Sequence, residues 1–64
     1  MLTFVKLKDY KNQPIYVNVN AIRTMRKLVS DGYIGTSIAL PEKEIFVRGT
    51  PEDVLASIAQ VKDR

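Results

Sequence analysis

The sequence predicts an α+β domain in which one C-terminal helix covers a mostly antiparallel sheet of four or five strands, or a small open barrel. Three observations support this prediction. Short apolar runs with strand-like alternation are separated by polar turns, a strong helix-start signal precedes the last amphipathic run, and 64 residues are too few for two domains. We therefore treat residues 1–64 as a single domain.

The first two strands form a predicted hairpin. Residues 2–8 mix apolar residues with lysines, and the phase of this strand stays open because Phe4 and Val5 are adjacent and point to opposite faces. Residues 9–13 are polar and typical of a turn. Residues 14–19 begin with proline, which the first position of a strand tolerates, and continue with clean alternation.

Two polar side chains near this hairpin are interpreted as caps. Asp9 lies in the turn, where a lone aspartate usually accepts hydrogen bonds from its own backbone. Asn18 ends the second strand and is expected to cap the turn that leads to Ile22. Both residues are therefore assigned structural roles.

Residues 20–29 allow two interpretations. Ile22, Met25 and Val29 recur at i, i+3 and i+7, which is typical of a short helix. A short turn followed by a strand over residues 22–28 fits the same residues. Periodicity alone cannot decide between them in so short a run, and the family resemblance described below favours the strand.

A second hairpin is predicted after this stretch. Residues 30–33 have loop composition, and residues 34–40 place alternate apolar residues on one face. Residues 41–44 interrupt the pattern, which resumes over residues 45–48. A connection of four residues between two such runs is typical of a hairpin.

The last segment carries the clearest local signal. Thr50 is a hydroxyl N-cap, Pro51 occupies the first helical position, and Asp53 provides a carboxylate at the third. The apolar residues that follow fall on one face of a helix that we expect to pack against the sheet. They are Val54, Leu55, Ile58 and Val61.

The composition excludes most catalytic chemistry. The chain has no cysteine and no histidine, which removes disulfides, common zinc and haem sites, thiol nucleophiles and histidine-based general bases. Glu42 and Glu44 are interpreted as a solvated turn. Tyr10, Tyr16 and Tyr33 are interpreted as half-buried sheet residues. We therefore expect a non-enzymatic protein without a metal or cofactor.

The basic residues are the better functional candidates. The formal net charge is +3 and the isoelectric point is near 9.5, a balance that mildly favours polyanions. Cations beside aromatics on a sheet face can bind nucleic acid, but the modest charge favours the alternative in which the aromatics pack against a dimer partner or the helix and the lysines are solvated. The candidate contact residues are Lys6, Lys8, Tyr16, Arg23, Arg26, Lys27, Phe46 and Arg48.

Size and hydropathy guide the remaining expectations. A chain of this length buries little surface, and without disulfides or metals a homodimer is the expected source of further burial. No apolar run approaches the roughly 20 residues of a membrane span, and the first residues lack a signal-peptide pattern. We therefore expect a cytoplasmic homo-oligomer that does not insert into membranes.

Several short segments carry a family resemblance that covers nearly the whole chain. They are Leu7-Lys8-Asp9, Pro14-Ile15-Tyr16-Val17-Asn18, Ile22, residues 35–40, residues 45–47 and residues 51–54. Together they resemble the small bacterial flagellar and swarming-motility FlbD-like family. The sequence departs from the family pattern at Lys11-Asn12, where a glycine turn is common, and in a longer segment over residues 28–34. The resemblance implies a non-enzymatic accessory protein without an established ligand.

A second likeness is weaker. Met1-Leu2 and residues 41–48 before the last helix are similar to the carbon storage regulator family of dimeric RNA-binding proteins, although the match is one residue out of step near Pro41. That likeness would place Arg48 and the strand from Leu2 to Lys6 in an RNA site. It implies, as the alternative to a protein-binding module, a small regulator that binds RNA or DNA.

Overall fold

The computed structural model describes residues 3–62 and shows five antiparallel strands followed by one helix. The strands form a two-stranded sheet with the order β1-β2 and a three-stranded sheet with the order β3-β4-β5. The predicted α+β class is confirmed, and the sheets are not closed into a barrel. The elements are β1 (Phe4–Lys8), β2 (Pro14–Asn18), β3 (Thr24–Ser30), β4 (Tyr33–Ala39), β5 (Glu44–Arg48) and α1 (Pro51–Lys62).

The turn between β1 and β2 is organised by Asp9. Its Oδ1 accepts hydrogen bonds from the backbone N–H groups of Lys11 and Gln13, both at 2.9 Å, as the sequence predicts for an aspartate in a turn. Asn12 takes the left-handed conformation with φ 65°, which asparagine tolerates better than most residues. Asn12 therefore closes this turn without a glycine.

A single turn of 3-10 helix over Val19–Ala21 connects β2 to β3. The Asn18 side chain caps it, because its Oδ1 accepts a hydrogen bond from the backbone N–H of Asn20 at 3.0 Å. The predicted capping role of Asn18 is confirmed. Ile22 and Arg23 follow in extended backbone before β3 begins.

Strands β3 and β4 form a hairpin of seven continuous pairs, from Thr24–Ala39 to Ser30–Tyr33. The connecting loop has only two residues, Asp31 with φ 51° and Gly32 with φ 80°. Positive φ at both positions is the type I′ geometry, whose twist matches that of the flanking strands. This tight turn extends both strands beyond the ends expected from composition.

The core is small and entirely aliphatic. Six side chains from four strands and the helix are buried, each contributing about 1.5–3 kcal/mol by removal from water. They belong to one contact cluster, which therefore holds both sheets and α1 together. The six residues are Val5, Leu7, Val17, Ile38, Val47 and Val54.

The two sheets meet at an isolated antiparallel bridge between Asp9 and Val47. This bridge brings the end of β1 beside β5 and sets the phase of both strands, because bridged residues point to the same side of the backbone. Val5 and Leu7 therefore share the buried side with Val47. The open question about the phase of the first strand is resolved, since Phe4 points outward.

The start of α1 is fixed by reciprocal capping. The N–H of Asp53 donates to Thr50 Oγ1 at 3.1 Å, and the N–H of Thr50 donates to Asp53 Oδ2 at 3.0 Å. The buried Thr36 hydroxyl donates to the Gly49 carbonyl at 2.9 Å, which joins the capped end to β4. The predicted helix start is confirmed.

Several predicted boundaries differ from the structure. The undecided stretch contains a strand, but β3 begins two residues later than predicted, because the 3-10 turn and its extended exit occupy the preceding positions. The second strand ends at Asn18, since Val19 begins that turn. Leu55, expected on the packed face of the helix, is 53% exposed. The predicted start of the first strand at Leu2 lies outside the described residues.

Two glycines with positive φ provide a matched test of the capped helix start. Gly32→Ala adds only backbone strain, because nothing lies within 4 Å of the new methyl group, and should cost about 1 kcal/mol. Gly49→Ala adds similar strain at φ 97° and places the methyl group 3.2 Å from Asp53 Oδ2. We expect Gly49→Ala to cost about 2–3 kcal/mol, because it also disturbs the cap. Urea unfolding measures both, and equal losses would contradict this role of the cap.

Candidate functional site

The candidate site lies on the outer face of the sheets, the side opposite the buried core. Alternation along the strands fixes which residues reach it. Phe4, Lys6 and Lys8 of β1 point away from Val5 and Leu7, and β2 contributes Tyr16. The ladders of the other sheet add further side chains, which are Arg26, Leu28, Tyr33, Phe46 and Arg48.

None of the aromatic residues belongs to the core. The chain has two phenylalanines, three tyrosines and no tryptophan. Phe4, Tyr10, Tyr16 and Tyr33 are 50–66% exposed, and Phe46 is half-buried. Aromatic side chains normally supply much of the buried area of a small domain. Here that apolar area is concentrated at the surface, which is typical of a binding face.

The outer face contains a groove of about 770 Å³. We call it the aromatic groove. Tyr10 lies along it from the β1–β2 turn, and Tyr33 lies along it from the position directly after the β3–β4 turn. Leu28, Phe46 and Arg48 complete this part of the lining. Its volume falls within the range of pockets that hold small ligands or short peptide segments.

Arg48 connects two segments that line the aromatic groove. Its Nη2 donates a hydrogen bond to the Tyr10 carbonyl at 3.0 Å, and its guanidinium lies 5.6 Å from the centre of the Tyr33 ring. Lys11 lies at the same distance from the Tyr10 ring. Each of the two tyrosines therefore carries a cation on its ring. The groove combines aromatic surface with the guanidinium of Arg48, and Asp31 places a carboxylate in the same lining.

Phe46 is positioned by the glycine on the neighbouring strand. A methyl group at Gly35 would overlap the Phe46 ring and approach the Val47 carbonyl oxygen to 2.7 Å. Gly35 is buried beneath the ring, although Phe46 itself pairs with Ser37 in the ladder. The absence of a side chain at Gly35 thus allows the ring to lie against the sheet within the groove.

A second, smaller hollow of about 350 Å³ lies between β1, β5 and the start of α1. Lys6, Lys8 and Arg48 line it, and the buried residues Leu7 and Val54 are also part of its wall. The Asp53 carboxylate, which caps α1, offsets part of this positive charge. The hollow therefore brings together three of the cations proposed from the sequence.

The structure divides the eight predicted contact residues. Six lie on the outer face, namely Lys6, Lys8, Tyr16, Arg26, Phe46 and Arg48. Lys27 points to the opposite side of β3, and Arg23 lies in the extended segment before that strand. Arg23 is therefore not part of the strand, and strand alternation does not place it on either face.

The tyrosines were predicted to be half-buried sheet residues. Tyr16 and Tyr33 do lie in strands β2 and β4, but the predicted half-burial is wrong for all three. Tyr10 lies in a turn, and all three tyrosines are 58–66% exposed. Of the nine residues that line the groove, Phe46 and Arg48 were proposed as contacts from the sequence; the large apolar side chains that sequence reasoning missed are Tyr10, Leu28, Tyr33 and Ile34. The Asp31-Gly32 pair between alternating runs is a typical signal of a two-residue hairpin, and it would have placed Leu28 and Tyr33 on one face of the β3–β4 hairpin.

Among residues 3–62, no group of three or more histidine, cysteine, aspartate or glutamate side chains could hold a metal ion. The helix found in this part of the chain is not long and apolar enough to cross a membrane. No family model, curated protein or solved structure matches the chain.

The close packing of Phe46 on Gly35 generates a test. Gly35→Ala should destabilise the protein by about 1–3 kcal/mol, because the added methyl group forces the ring off the sheet. In a Phe46→Ala background the same substitution should cost less, with only the Val47 carbonyl left to crowd it. Urea unfolding of the four proteins measures this coupling. Strictly additive losses would show that the ring does not depend on the glycine.

Proposed function

We propose that this protein is a small non-catalytic interaction module, with an accessory or regulatory role, that binds a partner through the aromatic groove of its outer face. The observation that carries the proposal is the outward placement of all the aromatic side chains, three of which line the aromatic groove. Partner contacts in proteins concentrate on aromatic and arginine side chains that a pocket desolvates. The groove offers that combination with Tyr10, Tyr33, Phe46 and Arg48.

The same proposal includes the properties expected from the sequence. The FlbD-like resemblance supports an accessory protein, and we place it in the cytoplasm as the sequence predicts. A homodimer is supported by the small aliphatic core together with the large apolar side chains left on the surface.

Sedimentation over a range of micromolar concentrations measures this association, and a monomer throughout that range would remove the dimer from the proposal.

Tyr33 and Tyr16 provide a matched pair of variants, because they are 64% and 66% exposed and only Tyr33 lines the groove. We expect Tyr33→Ser to weaken partner capture from cells of the source organism at least tenfold, and Tyr16→Ser to change it at most twofold. Quantitative affinity purification with mass spectrometry measures the retained proteins. Equal retention of every protein by the unmodified chain, Tyr33→Ser and Tyr16→Ser would contradict a partner site in the groove.

A regulator that binds single-stranded RNA or DNA is the second candidate. It is favoured by the cations that lie among the aromatics, since phosphates need cations and bases stack on aromatic rings. Lys6, Lys8 and Arg48 surround the smaller hollow, and Arg26 lies on the same outer face. A strand that crosses this face would contact about four cations.

A nucleic-acid site predicts a defined dependence on salt. Four phosphate contacts give a slope of log K against log salt near −3, since each contact to a single strand contributes about −0.7. Lys8→Gln should reduce this slope by roughly one contact, whereas Lys43→Gln in the distant β4–β5 turn should not change it. Fluorescence anisotropy with labelled polyuridine and polythymidine measures it. Absence of binding at low ionic strength would remove this candidate.

A further inference from the structure

Strand β3 is the longest open edge in the described part of the chain. It lies at the end of the three-stranded sheet, and its seven residues pair with β4 without interruption. Six of these residues are exposed, and only Met25 is partly buried. The edge of β2 is shorter and begins with Pro14, which has no N–H to offer. The edge of β3 is therefore the better template for an additional strand.

The register identifies the free backbone groups of this edge. Gly49 donates to the Ile34 carbonyl, so the even-numbered residues of β4 bond toward β5 and the odd-numbered ones toward β3. The β3 residues that bond to β4 are consequently the even-numbered ones. Met25, Lys27 and Val29 direct their N–H and carbonyl groups outward, and no other segment within residues 3–62 bonds to them.

The basic residues on and beside β3 indicate which kind of strand could pair with its edge. Arg26 and Lys27 occupy the middle of β3 on its two faces, and Arg23 precedes the strand. No acidic residue lies within residues 21–30. Leu28 and Val29, beside these cations, are 42% and 61% exposed. A strand that pairs here should carry acidic residues at its centre and aliphatic residues beside them.

A second copy of this edge fits poorly. Antiparallel pairing of β3 with itself in full overlap places Lys27 directly opposite Lys27 of the other copy. Like charges in direct opposition destabilise a strand pair. Registers that avoid this opposition leave some of the seven residues unpaired. The cations thus disfavour self-association through the edge and remain complementary to an acidic strand.

We propose that the outer edge of β3 binds an extended acidic segment of a partner protein by strand addition. The backbone groups of Met25, Lys27 and Val29 form the ladder, and Arg26 and Lys27 pair with carboxylates of the segment. This site borders the aromatic groove, with which it shares Leu28, but it depends on the backbone groups of the β3 edge rather than on the rings of the groove. Either site can fail without removing the other.

The probe is a blocked synthetic peptide, acetyl-Thr-Val-Val-Glu-Glu-Val-Thr-amide, whose two glutamates fall opposite Lys27 and Arg26 in the antiparallel register. Two control peptides carry Gln-Gln or Lys-Lys in place of Glu-Glu. We expect the Glu peptide to bind roughly 2- to 30-fold more tightly than the Gln peptide, as two opposite-charge pairs allow. The Lys peptide should bind more weakly still.

Amide hydrogen exchange followed by NMR gives the direct signature of strand addition. In the free protein, the amides of Met25, Lys27 and Val29 should exchange faster than those of Arg26 and Leu28, which bond to β4. Saturation with the Glu peptide should slow exchange at the three outward amides and leave the other two unchanged. An unchanged pattern at saturation would overturn the inference.

Variants of Lys27 separate the backbone contribution from the charge. Lys27→Gln should weaken binding a few-fold, and Lys27→Pro should abolish it, because proline removes the central outward donor. Lys43→Gln is the matched control and should bind as the unmodified chain does. If Lys27→Pro does not fold, as judged by its amide spectrum, the exchange pattern of the unmodified chain decides the question.

Four further outcomes of the peptide and hydrogen-exchange experiments distinguish strand addition from other kinds of binding. Protection of the three amides that rises with protein concentration, without peptide, would identify a second copy as the occupant and overturn the inference. Equal affinity for the Glu and Lys peptides would overturn its charge requirement. Peptide-induced shifts confined to Tyr10, Tyr33 and Phe46 would place binding in the groove, which supports the proposed function alone. Displacement of the peptide by polyuridine without amide protection would indicate simple attraction of anions.

Discussion

The arrangement of this protein depends on the contact between Asp9 and Val47, where the two sheets meet. Val47 is fully buried, pairs with Thr36 in the β4–β5 ladder and bridges to the end of β1. Because alternation then propagates along β1 and β5, a single contact determines that the valines and leucine point inward. It also determines that the lysines of β1 share the outer face with Phe46 and Arg48. The same alternation that points the core residues inward therefore points the residues of the binding face outward.

The β3–β4 hairpin connects that core to the functional surface. Its inner end contributes the buried residues Thr36 and Ile38, whereas Val29 and Ile34 near the turn are 61% and 47% exposed. The outer end is thus held by its ladder, by the type I′ turn and by the stacking of Arg48 on Tyr33 rather than by burial. This distribution leaves apolar side chains and backbone groups accessible on a segment whose shape the hairpin itself defines.

The sequence was sufficient for local features and insufficient for the surface they form. The capping box at Thr50, the cap by Asn18 and the Asp9 turn were predictable because each depends on residues within four positions of one another. The strand over residues 24–30 was not decided by periodicity because the run is short; the local signal that identifies it is the Asp31-Gly32 turn that pairs it with β4. The groove depends on contacts such as Arg48 with Tyr10, which are 38 residues apart. No local pattern contains that information.

The aliphatic core and the aromatic surface can be compared on one energetic scale. Complete burial of one aromatic side chain removes roughly 150–250 Å² from water, or about 4–6 kcal/mol at about 25 cal/mol per Å². A domain of this size has a net stability of only about 3–10 kcal/mol. Four aromatics nevertheless leave at least half of their surface in solvent. If a partner covers two of them, the free energy gained by burying their exposed surface is comparable to the whole folding free energy, before association costs are subtracted. Such a surface favours a bound state over an isolated one, which is the behaviour of an interaction module.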